Sequence, residues 1–141
     1  MQKPEVKEIG AKEAYDFMQE HPNAVMIDVR SGMEYLFVGH PKGAVHVAWI
    51  DEPDWEVNPD FVKQVRQVLL GGVSHSEHSS VPVFLVCRSG KRSLEAGETL
   101  IKAGFTEVYN IKEGFEGELD EQHHRSSVGG WRFEGLPWSQ C

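Results

Sequence analysis

Cys87 opens a short stretch, Cys87-Arg88-Ser89-Gly90-Lys91-Arg92-Ser93, that brings a thiol, two hydroxyls, a glycine and three cations together. Cations and inward-pointing backbone N–H groups around a thiol favour its ionised form, so the cysteine pKa should fall. The same features favour an anion docked above the sulfur. The chemistry they suggest is nucleophilic: a Cys87 thiolate acting on an anionic substrate held by Arg88, Ser89, Gly90, Lys91, Arg92 and Ser93. A cysteine after an apolar run is more often a small core residue. A core cysteine has no use for three neighbouring cations, however, and burying Arg88, Lys91 and Arg92 without an anion would be costly. If those cations are solvated, the stretch is only an exposed charged turn.

The elements on either side must position this loop. Residues 83–86 form a continuous apolar run with high β propensity, the pattern of a strand buried on both faces. Residues 94–103 read as a helix with Ser93 as its N-cap, its positive end aimed at the sulfur. Upstream, residues 6–9 suggest a short strand. Gly10 breaks it, and residues 11–20 have helical spacing, with Ala11, Ala14, Tyr15 and Met18 on one stripe. Residues 24–30 form a second buried apolar strand closed by charges, and Ser31 with Glu34 reads as the cap of a short helix. A tight loop at 39–44 leads to a strand at 45–48. The acidic loop 51–56 reads as a solvated face. Asn58 and Pro59 start a helix over 60–70, with Phe61, Val62, Val65, Val68 and Leu69 as its apolar stripe.

Residues 71–80 have linker composition. Gly104 ends the helix after the cysteine loop, 108–111 is a last strand, and 112–117 is a glycine-rich turn. Residues 122–130 look loose, and Trp131, Phe133 and Trp138 belong to a tail expected to cover the core. Strands alternating with helices imply an α/β fold with a mainly parallel central sheet of about five strands, flanked by helices in three layers. Ligands in such sheets sit beyond the carboxyl ends of the strands, where Cys87 falls.

Composition narrows the function classes. The chain has 141 residues, 40% hydrophobic and 26% charged, which suits one globular domain over 1–141 with a core at about 5–120 and a tail at 121–141. A formal charge of −8 argues against nucleic acid as a partner and makes the basic loop stand out. There is no long apolar run to span a membrane and no apolar signal core at the start, so the expected location is cytoplasmic. Cys87 and Cys141 do not make a disulfide framework. His75 with His78, and His123 with His124, lack the further ligands of a metal site. His40 and His46 read as structural.

Four segments resemble the rhodanese-like sulfurtransferases of the single-domain kind. These are Met26-Ile27-Asp28-Val29-Arg30 with Glu34-Tyr35; Gly39-His40-Pro41-Lys42-Gly43-Ala44; the Cys87–Ser93 loop; and Asn110-Ile111-Lys112-Glu113-Gly114-Phe115 followed by Gly135-Leu136-Pro137. They occur in the family's order. In this chain the proline of the second segment comes one place early, and Glu113 replaces the first of two adjacent glycines.

The resemblance implies sulfur transfer from thiosulfate, or a related small anionic donor, through a Cys87 persulfide. Cyanide, a small thiol or a thioredoxin-like protein would be the acceptor, and no metal or organic cofactor is implied. Asp28 and Arg30 are expected to pair near the site as structural residues, in the weak manner of exposed ion pairs. Two other classes compete. One is a non-catalytic or sulfur-relay module that binds a protein partner. The other is a cysteine-based phosphatase, whose loop places five residues between cysteine and arginine; here Arg92 follows Cys87 with four between, and Ser93 stands where that arginine would be.

Overall fold

The computed structural model describes residues 4–70 and 81–140. The linker reading of 71–80, the histidines His75 and His78, and the thiol of Cys141 lie outside these residues.

The elements follow in order as β1 (Lys7–Ile9), α1 (Ala11–Glu20), β2 (Val25–Asp28), a π turn (Glu34–Val38), β3 (His40–Pro41), β4 (Val45–His46), α2 (Phe61–Leu70), β5 (Val83–Val86), α3 (Lys91–Lys102), β6 (Val108–Ile111) and β7 (Trp138–Ser139). The main sheet has five strands in the order β1-β6-β5-β2-β4, and every pairing in it is parallel. β3 and β7 form a separate antiparallel ribbon that ties the end of the chain to the loop before β4.

β5 is the centre of the sheet, and all four of its residues are buried. Side chains alternate across a strand, so Val83 and Leu85 pack with α2 and α3, while Phe84 and Val86 pack with α1 and the tail. The same alternation puts Cys87 on the side of Val83 and Leu85. On α2 the buried stripe is Phe61, Val65 and Leu69, as the sequence spacing predicts. Each such side chain stabilises the fold by about 1.5–3 kcal/mol. On α3, Gly97 lets the helix lie close to the sheet: a Cβ there would stand 3.0 Å from Val6 Cγ2 and 3.3 Å from Leu85 Cδ1. That close approach seats the middle of α3 against β5 and β6.

Most boundaries shift by a residue or two, and three segments differ more from the sequence reading. α3 starts at Lys91, and its N-cap is Gly90 at φ +103°, not Ser93. The loop after Cys87 turns too tightly to leave Ser93 outside the helix, so Ser93 lies in the first turn with its side chain buried. The strand expected over 45–48 pairs only at Val45 and His46. The segment 122–130 is hydrogen-bonded rather than loose: Ser126 N donates to Glu116 O at 2.6 Å, and Asp120 Oδ1 accepts from Gln122 N and His124 N. The tail covers the core only in part: Trp131 and Leu136 are buried, with Trp131 Nε1 donating to Pro137 O at 2.8 Å, whereas Phe133 and Trp138, expected to be buried with them, are exposed.

Candidate active site

Cys87 sits at the carboxyl end of β5 and is 1% exposed. Its sulfur accepts from Gly90 N at 3.1 Å and lies 3.2 Å from Ser93 Oγ. The loop is braced from behind by the turn after β6. Phe115 N donates to Cys87 O at 2.8 Å, and Glu116 N and Gly117 N both donate to Arg88 O. With these carbonyls engaged on the outside, the loop turns the Gly90 amide toward the sulfur. Gly90 is indispensable to the geometry, because a Cβ there would meet Lys112 O at 2.2 Å.

Above the sulfur is a cavity of about 310 Å³ lined by Cys87, Arg88, Ser89, Lys91 and Arg92, with Glu118 and Arg125 from later in the chain. Five of the seven residues singled out from sequence therefore share the cavity wall. Gly90 and Ser93 are buried beneath it and reach the sulfur instead.

A polar chain runs away from the thiol through the core. Ser93 Oγ donates to Asn110 Oδ1 in a short hydrogen bond, and Asn110 Nδ2 donates to Glu8 Oε1 at 2.8 Å and Gly90 O at 3.0 Å. Asn110 enters the sequence reading as a strand residue and as the start of the closing segment, with no role at the site; a polar side chain inside a buried apolar strand is the signal that could have found it.

Arg92 is not a solitary cation. Its guanidinium makes a two-pronged pair with Glu34, Nη1 to Oε1 at 2.8 Å and Nη2 to Oε2 at 3.0 Å. Ser31 and Glu34 cap one another as expected, with Ser31 Oγ donating to Glu34 Oε1 at 3.1 Å. Burial would push the Glu34 carboxyl up, but the hydrogen bond and charge of Arg92, with the Ser31 amide and Arg30 behind them, bring it down to about 2. Arg92 is correspondingly held above its ordinary value, chiefly by its hydrogen bond to Glu34.

Asp28 and Arg30 pair, but not as an exposed pair: both side chains are 0% exposed. Arg30 Nη2 donates to Asp28 Oδ2 at 2.6 Å and Nε to Oδ1 at 2.9 Å, and its guanidinium lies 4.7 Å from the Phe115 ring centroid. Arg30 Nη2 also donates to Gly39 O in a short hydrogen bond. The strand that was expected to end in solvated charges is instead closed under the second loop.

The histidines fill structural places. His40 Nδ1 donates to Tyr35 O at 2.8 Å, and His46 Nε2 to Arg30 O at 2.7 Å. Among the described residues no group of three or more His, Cys, Asp or Glu is arranged to hold a metal, His123 and His124 included. No helix among them is long and apolar enough to cross a membrane.

The family model described as Rhodanese-like domain matches residues 10–120. An uncharacterized protein of Rickettsia conorii is 31% identical over 135 residues, covering 94% of this chain and 97% of its own length. Thiosulfate sulfurtransferase GlpE of Actinobacillus pleuropneumoniae is 26% identical over 136 residues, covering 92% of this chain and 90% of its own. The crystal structure of Rv0390 from M. tuberculosis superposes with a TM-score of 0.82 at 36% identity, over 97% of this chain and 99% of the other.

Proposed function

The chain belongs to the rhodanese-like domain family, and from that premise we propose that it is a thiosulfate sulfurtransferase working through a persulfide on Cys87. The observation that carries the reading is the setting of the sulfur: Gly90 N and Ser93 Oγ at 3.1 and 3.2 Å, on the floor of a cavity walled by Arg88, Lys91 and Arg92. In the first half-reaction the Cys87 thiolate attacks the outer sulfur of thiosulfate. A new S–S bond forms to Cys87, the old S–S bond breaks, and sulfite leaves with the electron pair. The persulfide carries the negative charge that the thiolate brought. The Gly90 amide and the Ser93 hydroxyl stabilise that charge, and the cations on the wall draw in the dianion and favour the departing sulfite. In the second half-reaction a thiophilic acceptor, such as cyanide, a small thiol or a thioredoxin-like protein, takes the terminal sulfur and returns Cys87 as thiolate.

We place the reaction in the cytoplasm, where an unpartnered active thiol stays reduced.

The test is intact-mass measurement after incubation with thiosulfate. A gain of one sulfur, reversed by cyanide or a dithiol and missing in Cys87→Ser, is the expected result. No adduct from thiosulfate, with sulfur acquired only from another protein's persulfide, would replace this reading with a relay module.

A further inference from the structure

We infer that Arg125, from the segment after the family-matched core, is an anion-binding residue of the Cys87 site. The inference rests on the sulfurtransferase reading and names a group that its dianionic donor meets.

The family match ends at residue 120, and Arg125 lies beyond it. Even so, Arg125 lines the same cavity of about 310 Å³ as Cys87. It differs from Arg92 in its partners. Arg92 is committed to Glu34, whereas among the described residues no ion pair engages Arg125. Its one hydrogen bond among the described residues runs from Nη1 to Gly117 O at 2.7 Å. A guanidinium has five donors in a rigid fork, so one bond to a backbone carbonyl orients the group without using it up.

The backbone that carries Arg125 is built for the purpose. His123 and Ser126, either side of it, adopt left-handed φ values of +63° and +66°. Such conformations cost free energy in residues other than glycine and persist where the surroundings enforce them. The enforcement is visible. Asp120 accepts from Gln122 N at 2.8 Å, His124 N at 2.9 Å and Ser127 Oγ at 2.5 Å. From the other side, Ser126 N donates to Glu116 O, and Arg132 Nη2 donates to Ser126 Oγ at 2.9 Å. The loop is thus clamped to the turn that also braces Cys87 and Arg88.

Charge points the same way. Arg88, Lys91, Arg92 and Arg125 stand against Glu118 on the cavity wall and Glu34 behind it. With the Cys87 thiolate counted as well, the formal excess is one positive charge; without Arg125 it would be zero, and nothing would offset the thiolate's repulsion of a dianion. A donor gripped by the cysteine loop and by a second, separate segment is selected for being a dianion. The discharge step brings in only the monoanionic thiolate of a dithiol, one charge in place of two, so it asks less of Arg125 than loading does.

The test compares wild type with Arg125→Ala, Arg125→Gln and Arg125→Lys. Glutamine can still donate to Gly117 O but carries no charge. Persulfide loading on Cys87 is followed by mass against thiosulfate concentration, and discharge is timed with dithiothreitol. Cys87 alkylation by anionic iodoacetate is compared with that by neutral iodoacetamide. The alanine and glutamine variants should need about tenfold more thiosulfate for half-maximal loading, the loss expected for one charge-assisted hydrogen bond. Their discharge rate should fall far less than their loading does, and the iodoacetate to iodoacetamide rate ratio should fall several-fold. Lysine should recover most of both losses. A wild-type loading curve in the glutamine variant, or equal slowing of both alkylations, overturns the inference. Should wild type itself take no sulfur from thiosulfate, the proposed function fails and the alkylation ratio still decides the role of Arg125.

Discussion

Glu34 and Arg92, 58 positions apart in the chain, meet in a two-pronged ion pair at 2.8 and 3.0 Å. The pair fastens the π turn after β2 to the first turn of α3, so it fixes one wall of the cavity. It also cancels much of the Arg92 charge as seen by an incoming anion.

The first prediction concerns acid. The Glu34 carboxyl is held at about 2, against an ordinary value of 4.5. A depressed carboxylate contributes stability that is fully present above pH 4.5 and is lost as pH falls through 2. The pair is partly exposed, so the contribution is about 1 kcal/mol after solvent screening. Urea unfolding of wild type and Glu34→Gln should differ by that amount at pH 6, and the difference should shrink toward zero near pH 2. A constant difference across that range would mean that Glu34 acts by packing.

Ser93 has one hydroxyl proton and two acceptors, Asn110 Oδ1 and Cys87 Sγ. When negative charge sits on the sulfur, the proton is better placed toward it. Ser93→Ala should slow persulfide loading by about tenfold while lowering stability by only about 1 kcal/mol. Single-turnover loading with thiosulfate, read beside a thermal melt, checks both halves.

The Asp28–Arg30 pair is wholly buried, which makes single substitutions severe. Asp28→Asn leaves Arg30 charged in the core with a neutral partner, at a cost of about 3–5 kcal/mol. Replacing both, as Asp28→Leu with Arg30→Met, should cost less than the two single changes combined. A double-mutant cycle of urea midpoints measures the difference, and plain additivity would show the pair to be uncoupled.

Gly90→Ala should be damaging for reasons of backbone alone. The position has φ +103°, and a Cβ would lie 2.2 Å from Lys112 O. We expect a loss of about 2–4 kcal/mol and a collapse of loading out of proportion to the change in melting temperature, since the Gly90 amide is itself a donor to the sulfur.

Much of this was legible in the amino-acid order. The helix over Ala11–Glu20 and the strands Val83–Val86 and Val108–Ile111 match their patterns end to end, because apolar periodicity and the breakers around them are local properties. The cysteine loop was legible for the same reason, its groups being consecutive. Ser93 was misplaced as a cap because the left-handed turn at Gly90 is set by the close approach of Lys112 O, a contact made across 22 positions.

By itself, then, the residue order determined the alternation of strand and helix, the buried parallel sheet, and the thiol with its cations. Only the tertiary structure decided which charges work together. The sheet order places β2 beside β5 and β5 beside β6, so the loops beyond their carboxyl ends converge. That convergence turns Glu34 toward Arg92, sets Asn110 under Ser93, and lets the returning tail bring Arg125 to the cavity. None of those meetings has a fixed sequence spacing, because the intervening loops can vary in length while the parallel registers stay the same.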